Sequence, residues 1–296
     1  MTTSGIHSAA DNSQPDLSFA EPGIPFARPL ALHGTAPLSA PLPDFFLELQ
    51  TPRSAWADIG WLAFFLLSFE FIASYLLDLT AELLMGTPHS PSENNVAADR
   101  QVMLLPTISL RALGAIVIIA VLARRRGLTA RSVGLSWSGA IVNIAIGVAA
   151  LVVVYGLVAV TMSLVWLFWP EVVGEMKENA QRIIELVPNL RPAQFVPVAA
   201  LIGIYEELVF RGFLMTRLRR ATGGWTLAVA LSTIVFTGLH AFDQTPSALV
   251  VVGILSLMFS LVTIWRRSII PAITAHALFD LSQLLLLQLQ AGDSWK

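Results

Sequence analysis

The chain has 296 residues, 55% of them hydrophobic and only 13% charged, with a mean hydropathy of +0.69. An ordinary soluble domain carries about 25% charged residues, so a water-soluble core is excluded. With no cysteine and a formal net charge of −2, disulfides, thiolate metal sites and cysteine nucleophiles are also excluded, leaving carboxylate, imidazole and hydroxyl groups for any chemistry.

Residues 1–50 are rich in Pro, Ser and Ala, include Pro15, Pro22, Pro25, Pro29, Pro37, Pro41 and Pro43, and contain no apolar run long enough for a secretory signal. They read as a disordered tail. Beyond it the apolar residues fall in separate runs of about 20, the length a helix needs to cross roughly 30 Å of hydrocarbon, and do not alternate as barrel strands would. The fold class is therefore all-α, a polytopic transmembrane helical bundle. Seven spans are expected: Trp56 to Leu84, Leu104 to Ala123, Ala140 to Trp169, Ala193 to Leu218, Trp225 to His240, Ser247 to Trp265, and Ile269 to Leu289. The first and third are long enough to tilt and the fifth is short, which leaves a count of six to eight. The organisation is a tail over 1–50, N-terminal transmembrane helices over 51–190 and a C-terminal core over 191–290.

Orientation follows from the basic residues, since positively charged loops stay cytoplasmic. With the tail inside, Arg53, Arg124, Arg125, Arg126, Arg131, Arg217, Arg219, Arg220, Arg266 and Arg267 face the cytoplasm, ten against the five of Arg100, Lys177, Arg182, Arg191 and Lys296. An N-in, C-out arrangement follows, with an acidic, helix-patterned segment from Glu171 to Glu185 outside. The same arginines, set in short clusters between apolar runs, give no support to nucleic-acid binding.

A charge in hydrocarbon costs roughly 3 kcal/mol on insertion scales, so ionisable residues inside spans are functional candidates. The first span carries Glu70 and Asp78, about two turns apart on one face, which read as structural. Asn143, Arg111 and the tryptophans Trp56, Trp61, Trp166, Trp169 and Trp265 read as helix glue, snorkelling and interfacial anchors. The fourth span carries Glu206, Glu207 and Arg211. Glu207 and Arg211 stand at i,i+4 on one face and can neutralise each other. Glu206 is rotated about 100° from Glu207 and must find other partners; a purely structural ion cluster would balance its charges, and here one acid is left over. His240 closes the fifth span, and His276 and Asp280 share a face of the seventh, again at i,i+4, as two ligands or as a ligand with its orienting partner. Counted at about 1.5 Å per residue, Glu206 lies roughly 18 Å, His276 roughly 11 Å and His240 roughly 22 Å from the arginine-rich side, within what helix tilt brings to one level.

The segment Glu206-Glu207-Leu208-Val209-Phe210-Arg211-Gly212, then Phe236 and His240, then His276 and Asp280, resembles the three motifs of the CPBP family, the CAAX-protease and bacteriocin-processing intramembrane peptidases, also called the Abi family. The motifs are Glu-Glu-x-x-x-Arg, Phe-x-x-x-His and His-x-x-x-Asn or Asp, and the likeness covers roughly residues 190–290. It implies an intramembrane endopeptidase with Glu206 activating water, His240 and His276 at the centre, Asp280 assisting, and Arg211 structural or orienting through Glu207. The catalytic set is thus Glu206, Glu207, Arg211, His240, His276 and Asp280. The family often has asparagine where this chain has Asp280, which adds a negative charge.

A metal would be Zn²⁺ held by His240, His276 and Asp280 with Glu206 as base; Glu206 as ligand is the alternative, and a metal-free variant uses the histidines as oxyanion donors. There is no His-Glu-x-x-His motif. The expected partners are a membrane-associated peptide or protein substrate, CAAX-type or a peptide precursor, and the lipid bilayer. The expected location is the cytoplasmic membrane of a bacterium. Two other classes compete: a non-catalytic membrane scaffold or immunity protein of the same fold, and a transporter, against which the absence of an internal repeat speaks.

Overall fold

The structure is a computed structural model that describes residues 51–85, 93–186, 190 and 192–291. The proline-rich tail and the side chains of Glu70 and Asp78 lie outside the described residues. In chain order the helices are α1 (Pro52–Met85), α2 (Glu93–Arg125), α3 (Ala140–Phe168), α4 (Val172–Leu186), α5 (Pro192–Glu207), α6 (Met215–Thr222), α7 (Trp225–His240), α8 (Pro246–Arg266) and α9 (Ile270–Ala291). A 3₁₀ turn covers Ala130–Val133, and a π-helical turn, Leu208–Leu214, joins α5 to α6. No strand occurs among the described residues, so the all-α expectation holds.

Among the described residues five segments are long and apolar enough to cross a membrane: Leu105–Arg125, Ala140–Phe168, Ala193–Thr222, Pro246–Arg266 and Ile270–Leu289. Trp225–His240 forms a shorter apolar helix, matching the short fifth span, and the first span is the single helix α1. The tryptophans assigned to the interface, Trp56, Trp61, Trp166, Trp169 and Trp265, are all exposed. Glycine and proline mark two of the helix ends. Gly223 closes α6 at φ 80 with its N–H on the Arg219 carbonyl, a left-handed cap that favours glycine, and Pro246 opens α8, where its missing N–H costs nothing.

The fourth span departs from the expected uniform α-helix. Immediately after Glu207 the backbone widens to the π turn, with the Met215 N–H bonded to the Phe210 carbonyl five residues back. Such turns concentrate at functional sites. Here Gly212 lies flat against the 3₁₀ turn: a Cβ on it would sit 2.9 Å from the Val133 carbonyl oxygen, so the contact requires glycine.

Three arginines of the expected cytoplasmic side, Arg126, Arg217 and Arg266, make polar contacts to other helices. Arg126 Nε donates to Asp58 Oδ1 at 2.9 Å, Arg217 Nε approaches Asp58 Oδ2 at 3.5 Å, Arg266 Nε donates to Asn143 Oδ1 at 3.0 Å, and the Ile269 N–H reaches the Gly134 carbonyl. Arg217 is not the loop cation the charge count took it for. It is fully buried in α6, over the Phe213 ring at 4.6 Å, because Asp58 supplies the countercharge that makes burial tolerable.

The amphipathic α4 docks on the start of α8. Asn179 Oδ1 accepts from the Thr245 N–H at 2.9 Å while its Nδ2 donates to Gln244 Oε1 at 3.1 Å. Glu175 Oε2 accepts from the Ser247 N–H at 3.2 Å. Two of the amides that an α-helix leaves unpaired at its N-terminus are thus met by side chains of another helix.

α9 is wedged between α3 and α5, and small residues permit the approach. A Cβ on Gly147 of α3 would lie 2.6 Å from the Pro271 carbonyl oxygen, and one on Gly203 of α5 would lie 3.1 Å from the Ala277 nitrogen. The second contact sets the backbone just before Glu206 and Glu207 against the turn of α9 that carries His276.

Candidate active site

The last turn of α5 presents two adjacent acids in different directions. Glu207 points into the bundle and is fully buried together with Arg211. Its Oε1 accepts from Arg211 Nη1 at 2.8 Å and faces His276 Nδ1, also at 2.8 Å. Since this carboxylate already accepts from the guanidinium, the histidine contact is an Nδ1–H donation, which fixes the tautomer and turns Nε2 outward. Arg211 Nη2 donates to the Ser256 carbonyl at 3.1 Å, its Nε has no partner among the described residues, and the guanidinium lies over the Phe236 ring at 4.6 Å, a cation–π contact. The expected Glu207–Arg211 pair is therefore present, with a third member, His276, that i,i+4 spacing does not reveal.

Glu206, its side chain 14% exposed, faces the other way round His276. Oε2 lies 3.8 Å from His276 Nε2 and is buried without a hydrogen-bond partner. Oε1 accepts from the Tyr205 hydroxyl at 3.0 Å. Tyr205 is a site residue that sequence reasoning passed over; nothing but its place beside Glu206 marks it. Asp280, one turn on from His276 in α9, brings Oδ2 to 3.6 Å from the same Nε2. His276 is thus the hub, with Glu207 on Nδ1 and Glu206 and Asp280 beside Nε2. Phe259 stacks on its ring with centroids 5.4 Å apart.

His240 sits at the end of α7 with its ring 4.6 Å from that of Phe236. Its Nδ1 is 2.8 Å from the Phe236 carbonyl oxygen; a carbonyl only accepts, so Nδ1 carries the proton and Nε2 is left for other partners. His240, His276, Asp280 and Phe236 line one cavity of about 380 Å³ whose other walls are largely apolar, from residues such as Val251, Leu255 and Leu287. Glu206, Glu207 and Arg211 are not among its lining residues.

Zinc fits this arrangement poorly. A structural or catalytic zinc needs at least three protein donors at about 2.0–2.2 Å from the ion, and among the described residues no group of three or more His, Asp and Glu side chains is placed to hold one. His240, His276 and Asp280 share a cavity wall, but they do not converge as one ligand set.

The fold and this cluster define an α-helical integral membrane protein with a buried glutamate–histidine–aspartate site. Residues 188–282 match the family model described as type II CAAX prenyl endopeptidase Rce1-like, consistent with the CPBP resemblance of the motifs. The matched segment runs from just before α5 into α9 and contains all six candidate residues. The family that this model describes is one of CAAX-type prenyl endopeptidases. No curated protein and no solved structure matches the chain.

Proposed function

We propose that the chain is an intramembrane endopeptidase that hydrolyses a peptide bond of a membrane-associated, CAAX-type substrate held in the cavity. The observation that carries this reading is the buried, unpartnered Glu206 Oε2 facing His276 Nε2. A buried carboxylate oxygen without a donor is costly, and a water between it and the imidazole both satisfies it and supplies a nucleophile. Glu206 takes a proton from that water as its oxygen attacks the scissile carbonyl carbon. The carbon–nitrogen bond then breaks, and the proton passes from Glu206 to the leaving amine. His276, oriented through Nδ1 by Glu207, and His240, oriented by the Phe236 carbonyl, turn their Nε2 atoms to the reacting groups, to donate to the oxyanion when protonated. The decisive comparison is Glu206→Gln against wild type on a fluorogenic peptide ending in a CAAX sequence with a prenylated cysteine. A scaffold of the same fold cleaves nothing in either form.

One observation favours a second assignment of the base: Asp280 lines the cavity and Glu206 does not. If Asp280→Asn is inactive while Glu206→Gln retains full rate, the proton goes to Asp280.

The poor convergence of His240, His276 and Asp280 bears on zinc. Activity of the purified protein is expected to survive 1,10-phenanthroline. Inactivation by the chelator with recovery on adding Zn²⁺ would reinstate the ligand set expected from the motifs.

The orientation that accompanies this reading is N-terminus in the cytoplasm, supported by the ten-to-five split of basic residues between the two sides. Reporter fusions after Arg126 and Arg220 are expected to read cytoplasmic, and one near Lys177 external. Opposite readings at all three positions overturn the orientation.

A further inference from the structure

Gln283 lies on the wall of the same cavity as His276 and Asp280, one turn beyond Asp280 on α9, and no step above uses it. A chain of hydrogen bonds fixes its amide, and the direction of that chain follows from its end. The Phe279 carbonyl can only accept, so Ser282 Oγ donates to it at 2.6 Å. The Ser282 oxygen is then the acceptor for the Tyr155 hydroxyl with which it pairs, and the Tyr155 oxygen accepts from Gln283 Nε2 at 3.4 Å. Tyr155 is brought by α3 and held against Phe279 with ring centroids 5.6 Å apart. With its nitrogen turned to Tyr155, Gln283 presents Oε1 in another direction, and that oxygen has no partner among the described residues. Two other carboxamides line the cavity, but Asn179 Oδ1 and Gln244 Oε1 have already accepted hydrogen bonds. Gln283 alone of the three has a carbonyl oxygen that accepts no hydrogen bond among the described residues.

We propose that Gln283 is a substrate-binding residue whose Oε1 accepts a hydrogen bond from a backbone N–H of the bound peptide, about three residues from the scissile bond. The inference rests on the peptidase reading. Seven residues of α9 separate His276 from Gln283, about 10 Å along the axis, and an extended peptide advances about 3.3 Å per residue. A fixed acceptor at that distance meets a main-chain amide and reads no side chain.

The test uses the full-length protein, the fluorogenic prenylated CAAX peptide, and analogues in which one backbone N–H at a time is replaced by an ester oxygen. For wild type, the ester at one position is expected to raise KM about tenfold, the size of one hydrogen bond, with kcat unchanged. Gln283→Leu raises KM for the parent peptide by the same factor, and in that variant the ester at that position has no further effect. A side chain that only supports the fold would leave the ester pattern intact. Gln283→Met serves where the leucine variant yields too little folded protein. The proposal is overturned if no ester position raises KM in wild type, or if the variants show the wild-type ester pattern. Should wild type leave every peptide uncut, the peptidase reading fails and Gln283 loses its role with it, whereas Glu206→Gln cutting at wild-type rate moves the base to Asp280 and leaves the ester test of Gln283 in force. An inactive Glu206→Gln beside an unaltered Gln283→Leu removes Gln283 alone.

Discussion

Replacing Glu206 by glutamine is expected to lower kcat on the CAAX peptide by about 10³-fold or more, within the range a positioned general base contributes, while folded yield stays at the wild-type level. The two halves of this expectation come from different contacts. Among the described residues the Glu206 side chain makes one hydrogen bond, from the Tyr205 hydroxyl to Oε1, and glutamine keeps a carbonyl oxygen that can accept it. Oε2 has nothing to lose, since it is buried without a partner; an amide nitrogen there cannot take a proton from water. The variant therefore removes the base and spares the packing. Kinetics and thermal unfolding on the same purified sample check both halves. Wild-type rates in a well-folded Glu206→Gln protein would take this glutamate out of the chemistry, and equal loss of rate and folded fraction would make its role structural.

Much of this site is legible in the sequence because helical periodicity places neighbours. Glu207 with Arg211 and His276 with Asp280 stand one turn apart, and both pairs meet as the spacing requires, at 2.8 Å and 3.6 Å. What periodicity cannot reach is contact between helices. The bond from His276 to Glu207 joins residues 69 positions apart, and it turns an ion pair into the holder of the central imidazole. The π turn is likewise invisible: Leu208–Leu214 contains no proline, and the close approach of Gly212 to Val133 that accompanies it is a tertiary contact. Arg217 misleads for a related reason, since an arginine near a helix end reads as a loop charge until Asp58 of α1 is seen beside it. The acidic segment after the third span is readable as a helix, but its attachment through Asn179 to the Thr245 backbone is not.

Arg211→Ala is expected to be the most damaging single change to the fold. The guanidinium bonds to Glu207 Oε1 and to the Ser256 carbonyl, and it packs over the rings of Phe236 and Phe259 at 4.6 and 5.6 Å. Without it Glu207 is left as a buried charge, a change that costs about 3–5 kcal/mol when one partner of a buried pair is removed. Against a total stability of about 5–15 kcal/mol, most of the folded yield is lost. Glu207→Gln errs in the same direction by stranding Arg211. Removing both charges differs, because a buried pair exchanged for apolar residues of similar volume is often close to neutral. Glu207→Leu combined with Arg211→Met should therefore recover much of the folded yield that Arg211→Ala loses. Its kcat should still stay well below wild type, since His276 Nδ1 no longer has the acceptor that holds its ring. Folded yield and kcat measured on wild type, both single variants and the double variant separate the two roles. A double variant that is folded and fully active would show that Glu207 does not orient His276, and an Arg211→Ala protein as stable as wild type would show that the buried pair contributes little to the fold.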